Sequence, residues 1–167
     1  MSPAPPAAPS PGLDLTPSPG ASGPATRLRV RSHLADVEVD PRDVVTFPDG
    51  LPGYEGSRRF VLIDVEETAP LKVLHAVEAS EPCFFVIDPR SVLPTYRCAL
   101  GPADRARLGG ADAGTFLWLA IVTVTGEGGV TANLRAPVVI DPARMIGRQV
   151  LPNAGVYPLR YAIDRPL

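Results

Sequence analysis

The run Phe116-Leu117-Trp118-Leu119-Ala120-Ile121-Val122-Thr123-Val124-Thr125-Gly126-Glu127-Gly128-Gly129-Val130-Thr131-Ala132-Asn133-Leu134 decides the fold class. Ten residues rich in aromatic and β-branched side chains are followed by a four-residue turn with three glycines, and a second β-rich run returns from it. This is a hairpin signature. The glycines resemble a phosphate-binding loop only on the surface. No Lys-Ser/Thr pair follows them and no helix start is predicted there, so the backbone N–H groups that cradle a phosphate are missing.

Working outward, the same strand chemistry recurs at short intervals. Leu28, Val30, Val37 and Val39 alternate with Arg29, Arg31, Asp36 and Glu38, as expected of a half-buried strand pair joined through Ser32 to Ala35. Val44 to Phe47, Phe60 to Val65, Leu71 to Val77 and Cys83 to Ile87 follow, the last stopped by Asp88-Pro89. Beyond the hairpin, Pro137 to Ile140, Gln149 to Leu151 and Leu159 to Ile163 complete the set. One helix is predicted, over Pro102 to Leu108, with proline at its start and Gly109-Gly110 at its end. Many short strands with one short helix indicate a mainly β chain, a small antiparallel barrel or sandwich. A parallel α/β fold is excluded because the crossover helices it needs are absent.

The chain has 167 residues, enough for one domain. Residues 1–25 read as a disordered Pro/Ala-rich tail, with eight prolines and only Leu13 and Leu15 as larger apolar side chains after Met1. That composition lacks the basic start and apolar run of a signal peptide. Residues 26–167 are expected to form the folded domain. No apolar stretch is long enough to span a membrane. Cys83 and Cys98 lack zinc spacing and read as buried, reduced thiols, with a single disulfide between them as the less favoured alternative.

The net charge is −2, and fifteen of the sixteen basic residues are arginine. Between Asp36 and Glu81 eleven acids face four bases, whereas Pro82 to Leu167 carries nine bases and six acids. An acidic amino-terminal half disfavours nucleic acid and favours a basic protein. Ordinary solvated strand faces account for the same bias.

No catalytic constellation is evident. His33 and His75 are the only histidines, lie in separate segments and have no metal-ligand spacing. His75 reads as a hydrogen-bonded structural histidine. An enzyme built on His75 with Glu78 or Asp64 rests on sequence proximity alone. No cofactor is expected.

Two dense motifs remain. In Thr46-Phe47-Pro48-Asp49-Gly50-Leu51-Pro52-Gly53-Tyr54-Glu55, prolines and glycines make a stiff corner that holds Phe47, Leu51 and Tyr54 as apolar points. In Thr131-Ala132-Asn133-Leu134-Arg135-Ala136-Pro137, Asn133 is placed to bridge backbone groups, and Pro137 marks an edge or bulge. Arg144 to Gln149 reads as a glycine-containing turn.

Phe47 to Glu55, Thr131 to Pro137 and Gly147-Arg148-Gln149, in that order, resemble the flagellar assembly factor FliW family, over about Leu28 to Tyr161. The Pro-rich extension is outside the family pattern. The resemblance implies a cytoplasmic, non-enzymatic β-barrel-like protein without cofactor. It implies binding to flagellin and to the CsrA-type translational regulator, an RNA-binding repressor that the family antagonises without occupying its RNA site. Flagellin level would thereby control flagellin synthesis. Neither direct nucleic-acid binding nor membrane association is implied, and the free chain is expected to be a monomer. Candidate partner-binding residues are Phe47, Leu51, Tyr54, Glu55, Asn133 and Arg148. The alternative is a β-barrel small-ligand carrier, which requires an open apolar lumen.

Overall fold

The computed structural model describes residues 26–31, 36–79, 82–110, 116–152 and 156–164. The expected tail and His33 lie outside the described residues. The strands are β1 (Leu28–Arg31), β2 (Asp36–Val39), β3 (Val44–Thr46), β4 (Arg59–Asp64), β5 (Lys72–Ala76) and β6 (Cys83–Ile87). After two short helices, α1 (Pro89–Val92) and α2 (Pro102–Arg107), come β7 (Leu117–Val124), β8 (Val130–Ala132), β9 (Val138–Asp141), β10 (Ile146–Gln149) and β11 (Tyr161–Ala162).

Strands β3 to β7 form an antiparallel meander with consecutive pairing. β10 pairs with β9 on one side and with β3 on the other, and β9 returns to β7, so the sheet closes into a seven-stranded barrel. The pairing of β10 with β3 is parallel, the exception to an otherwise antiparallel barrel.

Closure depends on how β7 is used. Its first half pairs with β9 and its second half with β8 along the same edge, from Leu117↔Ile140 to Leu119↔Val138 and from Val122↔Ala132 to Val124↔Val130. Residues 133–137 are the jog between the two ladders. Asn133 N–H still donates to Ile121 O at 2.8 Å, and the Asn133 side-chain oxygen accepts from Arg135 N at 3.2 Å and Ala136 N at 3.0 Å. Backbone donors freed from the ladder are thus satisfied locally. Pro137, which has no N–H to give, sits just before β9 begins. β8 leaves the barrel here and pairs with β11.

Alternate side chains of the barrel strands point inward, and Val45, Phe47, Leu51, Phe60, Leu74, Val86, Leu119, Val138 and Ile140 form one buried cluster. Burying each large side chain contributes roughly 1.5–3 kcal/mol. The barrel is therefore a packed core, without the open lumen that a small-ligand carrier requires. Outside it, Tyr96, Ala120 and Leu134 pack as one cluster, and Leu100, Leu108, Val139 and Val150 form another with Trp118 against it. The β1–β2 hairpin lays Val30 and Val39 on Val61, on the outer face of β4.

Three expectations are corrected. α1 is a second helix, a single turn in which the Asp88 carboxylate accepts from Arg90 N at 2.8 Å. The last barrel strand runs Ile146–Gln149, where a turn was expected, and the turn itself spans residues 142–145. Both cysteines are half-buried rather than buried. The Cys98 thiol is pushed up by partial burial, against the effect of its contact with Tyr96 Oη at 3.1 Å.

His75 is fully buried in β5. Its Nδ1 lies 2.6 Å from Ala76 O, a geometry that puts the proton on Nδ1, while Nε2 finds no hydrogen-bond partner. The neighbours proposed for catalysis are engaged elsewhere, Glu78 with Arg59 and Asp64 with Lys72. Among the described residues no cluster of His, Cys, Asp and Glu is placed to hold a metal ion.

Candidate partner-binding site

The proline-glycine corner caps the barrel end where β3 finishes and β4 starts. Phe47 N–H donates to Arg58 O at 2.7 Å, which joins the two flanks. Within the corner, Gly50 N donates to Phe47 O at 2.9 Å, Tyr54 N to Leu51 O at 2.7 Å and Ser57 N to Tyr54 O at 3.0 Å, so it is a chain of nested turns. Gly50 has φ +68°, and a Cβ there would lie 2.6 Å from Glu55 Cα. No other residue fits that position without backbone movement.

The corner's apolar side chains divide by direction. Phe47 and Leu51 are 0 % and 1 % exposed. Expected on a contact surface, they are instead core residues that seal the barrel end. The Phe47 ring stands edge-on to Phe60 at 5.0 Å between centroids, and it also lies against Gly147 of β10. A Cβ at residue 147 would lie 2.4 Å from that ring. The glycine of the third motif therefore exists to admit the phenylalanine of the first.

Tyr54 points outward, 45 % exposed, with its ring edge-on to Phe84 at 5.4 Å. Glu55 beside it is exposed and accepts a hydrogen bond from Gly53 N at 2.9 Å. That bond, with a further one from its own backbone, lowers the pKa of the carboxyl below its usual value. Tyr54 and Glu55 thus offer a fixed aromatic edge next to a stable negative charge.

Arg148 ties this end to α2. Its guanidinium pairs with Asp49 of the corner and donates through Nε to Asp104 of α2 at 3.2 Å. Pro48, Asp49, Gly147 and Arg148, together with Arg107, line a depression of about 230 Å³. Gln149 donates to Ala136 O at 2.9 Å, and Val150 N to Pro137 O at 2.9 Å, which fastens β10 to the jog after Asn133. Three motifs far apart in sequence form one connected construction. Of the six candidate residues, the structure gathers Phe47, Leu51, Tyr54, Glu55 and Arg148 around the corner. Asn133 stands apart in the jog, its carbonyl occupied by backbone. Asp49, Phe84 and Asp104 belong to the site and were not singled out from sequence, since their partners are distant in the chain.

A family model described as FliW protein matches residues 30–163. The chain belongs to the FliW family. Curated relatives include the flagellar assembly factor FliW of Natranaerobius thermophilus, 30 % identical over 137 residues, covering 81 % of this chain and 88 % of the relative. That of Carboxydothermus hydrogenoformans is 33 % identical over 131 residues, covering 78 % and 84 %. A crystal structure of the flagellar assembly factor FliW superposes with a TM-score of 0.74 at 29 % identity, covering 83 % of this chain and 97 % of that one. The FliW barrel, its corner and its jog all fall inside the matched span. Among the described residues, no helix is long and apolar enough to cross a membrane.

Proposed function

We propose that this FliW-family chain works by binding rather than catalysis, as a cytoplasmic flagellar assembly factor that holds flagellin and a CsrA-type translational regulator. Flagellin that occupies the chain keeps it from the regulator. When flagellin leaves, the released chain antagonises the regulator, and flagellin mRNA is translated. The switch is competition between two protein partners, expressed as a coupling free energy between their sites. Its carrying observation is the family match over residues 30–163, with relatives named as flagellar assembly factors.

The construction around the corner supports this reading. A stiff loop that presents Tyr54 and Glu55 loses little conformational entropy on association. Exposed tyrosines are favoured anchors at interfaces. The free chain is proposed to be a monomer and to bind neither RNA nor membrane.

The test is size-exclusion co-elution of the purified chain with flagellin and with the regulator, followed by competition. Each partner is expected to co-elute at micromolar concentration, and excess flagellin to reduce capture of the regulator. Tyr54→Ala is expected to weaken one of the two complexes about tenfold or more, as truncating an aromatic anchor does. Failure of both partners to co-elute sinks the proposal.

A further inference from the structure

The barrel end opposite the corner has a different surface. There β4 and β9 finish, and β3, β7 and β10 begin. The β1–β2 hairpin rises beside it. Between them lies a cleft of about 380 Å³. Its floor is apolar, and Val37, Leu62, Leu117 and Met145 are each only half-buried although they pack on the core clusters. Met145 holds φ +53°, a left-handed conformation that is uncommon for a non-glycine residue, at the turn that forms the cleft's lip. Thr46 N–H donates to Met145 O at 2.8 Å and anchors that turn.

Among the described residues the charged lining is of one sign: Glu38, Asp43 and Asp64 border the cleft, and no lysine or arginine lines it. Glu38 has Arg27 and Arg29 near it at 3.7 and 3.9 Å, and Asp64 pairs with Lys72. These bases lie outside the cleft lining, and their pairs with Glu38 and with Asp64 are solvent-exposed, so they contribute little and leave both carboxylates open to exchange partners.

We infer that this acid-bordered apolar cleft is a docking site for a segment of another protein that presents apolar side chains flanked by lysine or arginine. The chain's own amino-terminal stretch does not fit. Its one charged side chain before Arg27 is Asp14, the same sign as the border. Apolar side chains would fill the floor, and the basic flanks would meet Asp43 and Asp64. Met145 suits such a floor because a thioether adapts its shape to what it packs against. The site is separate from the corner, which leaves two surfaces at opposite barrel ends for two partners. The inference rests on the reading that the chain binds proteins.

Two synthetic peptides sharing one leucine-rich core, flanked by lysines in one and by glutamates in the other, test it by NMR titration of the whole chain. The lysine peptide is expected to shift amides at Val39, Ile63, Ile140 and Met145. The Asp43→Lys/Asp64→Lys variant should bind it about tenfold more weakly, with an effect that shrinks at high salt. Tyr54→Ala should leave this binding unchanged. Equal binding of both peptides, binding of neither at millimolar concentration, or shifts centred on the corner would overturn the inference. So would self-association of the wild-type chain abolished by the same double variant, which assigns the cleft to a second copy. Co-elution of flagellin or the regulator with a chain that binds neither peptide removes the cleft and leaves the proposed function standing.

Discussion

The two ends of the barrel are closed by different means. At the corner end the fit is steric: Phe47 and Leu51 fill the opening, Gly147 makes room for the Phe47 ring, and Gly50 permits the turn. At the cleft end apolar residues stay half-covered, and the turn over residues 142–145 is held by a charge. The Asp141 carboxylate, 5 % exposed, accepts from Ala143 N at 2.9 Å, Arg144 N at 3.3 Å and the Arg144 guanidinium at 3.0 Å. One end is determined by what fits inside the fold. The other keeps apolar surface that the fold alone does not use. The contrast separates residues that make the barrel from residues available to a partner, a distinction that motif resemblance alone does not draw.

The sharpest way to break the contrast is to remove matched side chains at the two ends. Phe47→Ala is expected to lower unfolding free energy by about 3–5 kcal/mol, the cost of an aromatic deleted from a close-packed core. Met145→Ala should cost under about 1 kcal/mol, since its side chain is half-covered and the smaller residue leaves water where it stood. Urea denaturation decides the matter, and equal losses would mean that the two ends are built alike.

Next in size is Gly147→Ala. The added methyl overlaps the Phe47 ring, and overpacking of this kind costs about 1–3 kcal/mol. Combined with Phe47→Leu, which removes the ring, the same change should cost measurably less than it does alone. Additive losses in the double-mutant cycle would show that Gly147 does not serve the ring.

The smallest effect concerns pH. Burial works to raise the Asp141 carboxyl, but hydrogen bonds from Arg144 and Ala143 outweigh it and leave the folded pKa lowered. A lowered folded pKa means stabilisation that is complete above the unfolded value, near ~3.9, and lost as pH falls toward the folded value. Asp141→Asn is expected to cost about 1–2 kcal/mol at neutral pH. The gap to the wild-type chain should narrow below about pH 4. A gap that stays constant down to pH 2 would locate the stabilisation elsewhere.

Much of this was legible in the sequence. Alternation and punctuation gave the β1–β2 pair, the meander from β3 to β6 and the β7–β8 hairpin, because each is a local pattern of apolar side chains and turns. Gly147 misled, since glycine between arginines reads as a turn when the reason for it, a ring one hundred residues earlier, is out of view. Phe47 and Leu51 misled in the same way. Proline and glycine announce the corner, but whether its side chains point in or out depends on what lies beneath, and that is decided by barrel closure. Tyr54 and Glu55 are readable as members of the corner from its prolines and glycines, whereas Asp104 as a partner of Arg148 has no local signal. α1 has no signal of its own, because in sequence a single turn after Asp88-Pro89 looks the same as the end of a strand.

The parallel contact of β10 with β3 has a consequence for the chain as it is made. The meander that starts at Val44 is complete once β7 emerges from the ribosome, yet the free edge of β3 finds its cover only when Ile146–Gln149 follows. Until then the nascent sheet carries an unpaired strand edge and an uncapped apolar face, the features that invite association with other chains. Closure of the barrel thus waits for one four-residue strand placed a hundred residues after the edge that it covers.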